Sequence, residues 1–220
     1  MPEFQNLPPR LAKLPKDHRG FPIPWFVATI PATGERDFRV ADYAKRDKAV
    51  RHKLCWVCGE ACGKYLAFPI GPMCAVTRTT PEPGCHLDCA EASVKICPFL
   101  TQPRMRRNYK DIEETGAVAP PGEFLERNPG VTCIWVTTKY KMFSTDRTNK
   151  NYLLQIGDPE NMLWYCRGRP ATRAEVDEAI KSGLPALQDM AWLEGPEAIA
   201  DLNKRVNDLL KLMDKLWKGN

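Results

Sequence analysis

Cys55-Trp-Val-Cys58 and His86-Leu-Asp-Cys89 are two ligand-type pairs, each spaced by two residues and separated by a stretch long enough for a hairpin. Seven of the chain's nine cysteines lie between Cys55 and Cys97. Two soft-ligand pairs at this spacing are what a tetrahedral zinc site asks for, so a metal is the expected organiser of this stretch. The glycine after the first pair, Gly59, permits the tight turn that presents two sulfurs together. The expected ligands are Cys55, Cys58, His86 and Cys89. Cys62, Cys74, Cys85 and Cys97 compete with them: Cys85 can stand in for His86, or the four can make a second site, against the reading of each as a small buried hydrophobe. Four protein ligands leave no open position for water, so the expected Zn2+ is structural.

A chain of 220 residues, 43% apolar and 27% charged, has ordinary globular composition. It lacks a run of 18 apolar residues, and Met1-Pro-Glu-Phe-Gln-Asn6 lacks the order of a signal peptide, which makes no membrane and the cytoplasm the expectation. In such a reducing compartment clustered cysteines are metal ligands or core residues rather than disulfides. Charge is uneven: residues 1–110 carry 18 Lys and Arg against 10 Asp and Glu, and residues 111–220 carry 14 against 17. The basic surplus travels with the cysteines and fits a polyanionic partner, most simply nucleic acid.

Residues 1–20 are rich in proline and lysine and read as an extended lead-in. A zinc-binding α+β unit is expected over 21–100. It begins with a strand in 21–30 and a second over Asp37–Val40, and Asp42 caps a helix over about 43–53. Tyr65–Ile70 and Met73–Val76 read as a strand pair turned at Gly71-Pro72, and 85–97 as a helix stopped by Pro98. Residues 101–130 read as a basic loop or linker. Residues 131–195 are expected to form a small antiparallel sheet with covering helices. Its strands are 131–138, 141–144 and 152–156 around a polar turn at 146–151. Its helices are a short one from Asp158-Pro159 to about Cys166 and one from Thr172 to Gly183. Residues 196–220 read as an amphipathic helix whose seam is Ile199, Leu202, Val206, Leu209, Met213 and Leu216. The widened apolar face favours packing on its own domain over a homodimer seam or a partner-docking helix.

Knuckle, hairpin, helix in that order resembles the treble-clef zinc motif over residues 55–97, in which knuckle and first helical turn supply two ligands each. Some treble clefs are HNH-type nucleases, which need a histidine pair; no histidine lies between Cys58 and His86. The deaminase, Walker A and nucleophile-elbow signatures are absent too, so the sequence leans away from an enzyme. His18 reads as a loop histidine and Cys74 as a core thiol. The strings Phe21-Pro-Ile-Pro-Trp-Phe-Val27, Cys55-Trp-Val-Cys-Gly-Glu60, Gly71-Pro-Met-Cys74, His86 to Cys89, Cys97-Pro-Phe-Leu100 and Gly168-Arg-Pro-Ala-Thr172 resemble a group of proteins from bacterial and phage genomes that carry no assigned activity. The likeness implies a phage or mobile-element setting and no mechanism.

The expected function is that of a zinc-stabilised binding protein contacting nucleic acid or a nucleic-acid-handling partner. Its expected contacts are Arg104, Arg106, Arg107 and Lys110 on phosphates and Tyr109 on an unpaired base. Lys45, Arg46, Lys48, Arg51 and Lys53 on the preceding helix are further candidates. Two alternatives stand beside it: an enzyme acting on nucleotides or nucleic acid with a site between the halves, and a protein-binding adaptor or inhibitor using the terminal helix.

Overall fold

The strand Thr132–Thr137 is buried along its whole length and lies inside the four-stranded sheet at the middle of the molecule. The computed structural model describes residues 6–30, 33–102, 130–144 and 152–217, so Arg104, Arg106, Arg107, Tyr109, Lys110 and the turn at 146–151 lie outside the described residues. In chain order the elements are α1 (Pro9–Ala12), β1 (Val27–Thr29), β2 (Arg36–Ala41), α2 (Tyr43–His52), β3 (Leu66–Ile70), α3 (Pro72–Thr77), β4 (Thr79–Thr80), α4 (Leu87–Ile96) and α5 (Pro98–Thr101). There follow β5 (Thr132–Thr137), β6 (Tyr140–Ser144), β7 (Tyr152–Ile156), β8 (Asn161–Cys166), β9 (Arg169–Pro170), α6 (Arg173–Glu194) and α7 (Pro196–Leu216).

The protein is α+β, with antiparallel sheets ordered β1-β2, β3-β5-β8-β9 and β4-β7-β6. Because side chains alternate along a strand, β5 feeds two cores. Cys133 and Trp135 join Leu66, Phe68 and Ile70 of β3 under α3, α6 and α7. Ile134 and Val136 face the other way, onto α4 and the Cys55–Cys58 knuckle. β3 pairs with β5 from Leu66↔Thr137 to Ile70↔Cys133, so the basic and acidic halves share one sheet.

Several expectations give way here. Residues 1–20 contain a helical turn, α1, with Pro9 at its first position; it buries Leu11 in the knuckle-side core. Met73–Val76 is helix rather than a return strand. Gly71-Pro72 starts α3, Ala75 and Val76 are buried, and the β3 edge goes to β5 instead. Residues 161–166 form a strand, not a helix: Met162, Trp164 and Cys166 alternate with half-buried neighbours, and β8 pairs with β5 from Thr132↔Tyr165 to Val136↔Asn161. Gly183 does not end its helix. It is buried in the middle of α6, where a Cβ would lie 2.9 Å from Met73 Sδ, so the glycine lets α3 and α6 approach closely.

Other expectations hold. Asp42 accepts the Lys45 amide and caps α2. Thr172 and Glu175 form a reciprocal capping box on α6. The α7 seam folds onto α3 and α6, with Leu202, Leu209 and Met213 buried in the chain's own core. Among the described residues no helix is long and apolar enough to cross a membrane.

Candidate metal centre

The knuckle is built by backbone bonds that close on themselves. The Cys55 amide donates to the Glu60 carbonyl (2.7 Å) and the Gly59 amide to the Cys55 carbonyl (2.8 Å). Gly59 takes φ +80°, and a Cβ there would lie 2.7 Å from Trp25 Cγ, so turn geometry and the indole above it both demand glycine. The Trp25 amide donates to the Val57 carbonyl (2.7 Å) and the Trp56 amide to that of Gly84 (3.1 Å), which binds the knuckle to the turn leading into β1 and to the loop leading into α4.

The second pair is placed by β3. Cys85 and Ala67 exchange two backbone bonds, 2.9 and 2.7 Å, so the chain enters α4 at a fixed point with His86 as N-cap and Cys89 in the first turn. Arg10 of α1 spans the arrangement. Its guanidinium reaches Glu60 of the knuckle (3.1 Å) and Asp88 of α4 (2.9 Å). This strap carries no spacing signature, and it escapes a reading of the sequence.

Cys55, Cys58, His86 and Cys89 bring their ligand atoms within 4.8 Å of one another, close enough to hold a metal ion. A tetrahedral zinc with bonds of about 2.3 Å to sulfur and about 2.0 Å to nitrogen separates two sulfurs by about 3.8 Å and sulfur from nitrogen by about 3.5 Å. His86 Nδ1 lies 3.4 Å from Cys58 Sγ and 4.0 Å from Cys89 Sγ, which brackets that value. The other ring nitrogen, Nε2, lies 3.0 Å from the Ala61 carbonyl oxygen. A carbonyl only accepts, so Nε2 carries the proton and Nδ1 keeps its lone pair for a metal.

Cys55 and Cys89 are the fully buried members of the group. The Cys58 and His86 amides point at the Cys55 sulfur from 3.5 and 3.4 Å. Hydrogen bonds from the Cys58, Cys62, Cys85 and Cys89 thiols hold the Cys55 thiol far below the usual value, against the opposing effect of burial. Cys62 and Cys85 stand outside the group of four whose ligand atoms come together. Among the described residues Cys62, Cys74, Cys85 and Cys97 form no second metal group. Burial raises the Cys97 thiol.

The remaining candidates disperse. Arg46 is buried, donating to the carbonyls of Pro81 (2.6 Å) and Tyr152 (2.8 Å) with its guanidinium 3.9 Å from the Tyr152 ring centre. Lys45 donates to the Val27 carbonyl (3.2 Å). His18 is exposed in the turn organised by Asp17. Trp56, Trp135 and Trp164 are core residues, and Trp25 is half-buried.

In comparisons with protein-family models, curated proteins and solved structures, nothing matches the chain.

Proposed function

We propose that the chain is a zinc-stabilised nucleic-acid-binding protein whose N-terminal half is a treble-clef variant. The observation that carries the metal reading is the orientation of His86, with Nε2 spent on Ala61 and Nδ1 turned to the thiols of Cys58 and Cys89. Three thiolates and one neutral imidazole are a common structural zinc set, and the closeness of the donors favours one ion over a cluster with its own sulfides. A metal held by Cys55, Cys58, His86 and Cys89 supplies folding free energy, on the order of 10–16 kcal/mol apparent at neutral pH in zinc-finger peptides.

The treble-clef reading is supported by the order knuckle, β3, α4. The Cys85–Ala67 pairing takes the place of the hairpin, with α3 and β4 inserted between its arms. Nucleic acid as the partner is supported by the basic surplus of residues 1–110 and by the acid-free run Arg104 to Lys110. Cobalt titration tests the metal reading. One equivalent per chain, with tetrahedral visible bands and thiolate charge transfer, is expected; bands of an octahedral oxygen site refute it. For the partner, retention on single-stranded nucleic acid that falls steeply with salt is expected, and no retention at low salt refutes it.

A further inference from the structure

Helix α2 sorts its cations into two sets. Lys45 and Arg46 are spent on the carbonyls of Val27, Pro81 and Tyr152. Lys48, Arg51 and His52 are exposed, three and four residues apart, and so share a face of the helix. Lys53 follows as the left-handed cap at φ 51° and is also exposed. Its carbonyl accepts the Cys62 amide (2.8 Å), which lays the exit of the knuckle against the helix end. Lys64 and Tyr65 follow Cys62 by two and three residues; both are exposed, Tyr65 by 52%, and the Lys64 ammonium lies 5.3 Å from the Tyr65 ring centre.

The carboxylates of this region are already engaged. Glu60 and Asp88 hold Arg10, and Asp47 accepts the Tyr152 hydroxyl (2.7 Å), with Arg51 at 3.9 Å. Among the described residues no carboxylate pairs with Lys48, Lys53 or Lys64.

We propose that Lys48, Arg51, Lys53 and Lys64, with Tyr65 beside them, form the surface that takes single-stranded nucleic acid. The cations neutralise backbone phosphates and release counterions, while the Tyr65 ring offers a face to an unpaired base. A duplex keeps its bases stacked on one another and leaves that ring unused. The candidate metal centre sets the surface in place, because Lys53 lies two residues before Cys55 and the Lys53–Cys62 bond positions Lys64. This inference rests on the nucleic-acid reading above and names its surface.

The test is fluorescence anisotropy of a short labelled single-stranded DNA with the metal-loaded full chain, repeated with RNA and duplex of the same sequence. The Lys48→Ala, Arg51→Ala, Lys53→Ala, Lys64→Ala variant is expected to bind at least about tenfold more weakly, with a salt slope shallower by about 0.7 for each lost phosphate contact. Removing four exposed charges from the acidic half instead (Lys181, Lys204, Lys211 and Lys215 to Ala) is expected to change affinity less than about twofold, the size of a non-specific net-charge effect. Tyr65→Leu is expected to weaken single-strand binding by about fivefold or more and leave duplex binding unchanged. Wild-type binding that survives the fourfold patch variant overturns this surface and leaves the nucleic-acid reading standing. Duplex competing as well as single strand overturns the single-strand assignment, and no wild-type binding at low salt overturns both.

Discussion

The Ala61 carbonyl oxygen lies 3.0 Å from Nε2 of His86 and so decides which ring nitrogen is free for a metal. Long-range 1H–15N correlation spectroscopy of the metal-loaded protein should show Nε2 protonated and Nδ1 in the metal-bound range. Ligation through Nε2 would break the Ala61 contact and contradict the assignment.

Gly59→Ala should lower stability by about 2 kcal/mol or more, since a side chain at φ +80° is strained and its Cβ meets the Trp25 indole at 2.7 Å. Denaturant unfolding measures this, and Gly34→Ala is the comparison. Gly34 also has a positive φ, +70°, but nothing lies within 4 Å of its added Cβ. Equal losses at the two glycines would mean that the indole contact contributes nothing.

Arg46→Met should cost about 3 kcal/mol, because the buried guanidinium donates to Pro81 and Tyr152 at once and its loss leaves both carbonyls without that donor. Arg46→Lys should recover less than half of this, as an ammonium lacks the planar fork that reaches both. A loss below about 1 kcal/mol, the range of a solvated surface residue, would place Arg46 on the surface.

How far these features were legible in the sequence follows from what each one depends on. Cys55, Cys58, His86 and Cys89 could be found because ligand spacing is a local property, and Asp42 and Thr172 because a cap needs only its own first turn. β8 was hidden by Asp158-Pro159, a strong local helix-start signal, although Met162, Trp164 and Cys166 alternate; pairing with β5 from across the chain outweighs it. Met73–Val76 has apolar composition that suits strand or helix, and only the distant β5, by occupying the β3 edge, decides between them. Arg46 looked like one cation of a basic helix, since its partners, Pro81 and Tyr152, lie far away in sequence.

The Glu175 carboxyl is held down to about 2, first by its hydrogen bonds with Arg169 and next by the Thr172 amide. Because its folded value lies below the ordinary 4.5, this group stabilises the fold above pH 4.5, and the contribution is lost as pH falls from there through about 2. The pair is partly screened by solvent, with the Arg169 side chain 51% and that of Glu175 30% exposed, so Glu175→Gln should cost only about 0.5–1 kcal/mol at neutral pH. The difference between variant and wild type should shrink as pH falls toward 2 and vanish below it. A gap that persists there would assign the loss to the α6 cap instead of the charge.

X-ray absorption at the zinc edge, on full-length protein carrying the metal it is purified with, tests the central claim most directly. The account predicts one zinc per chain with three sulfurs at about 2.3 Å and one nitrogen at about 2.0 Å, reduced to two sulfurs or lost altogether in Cys58→Ser. A first shell of four sulfurs would bring Cys62 or Cys85 into the site in place of His86. Protein that carries no metal, or whose metal survives Cys58→Ser with three sulfurs still bound, would contradict the assignment of Cys55, Cys58, His86 and Cys89.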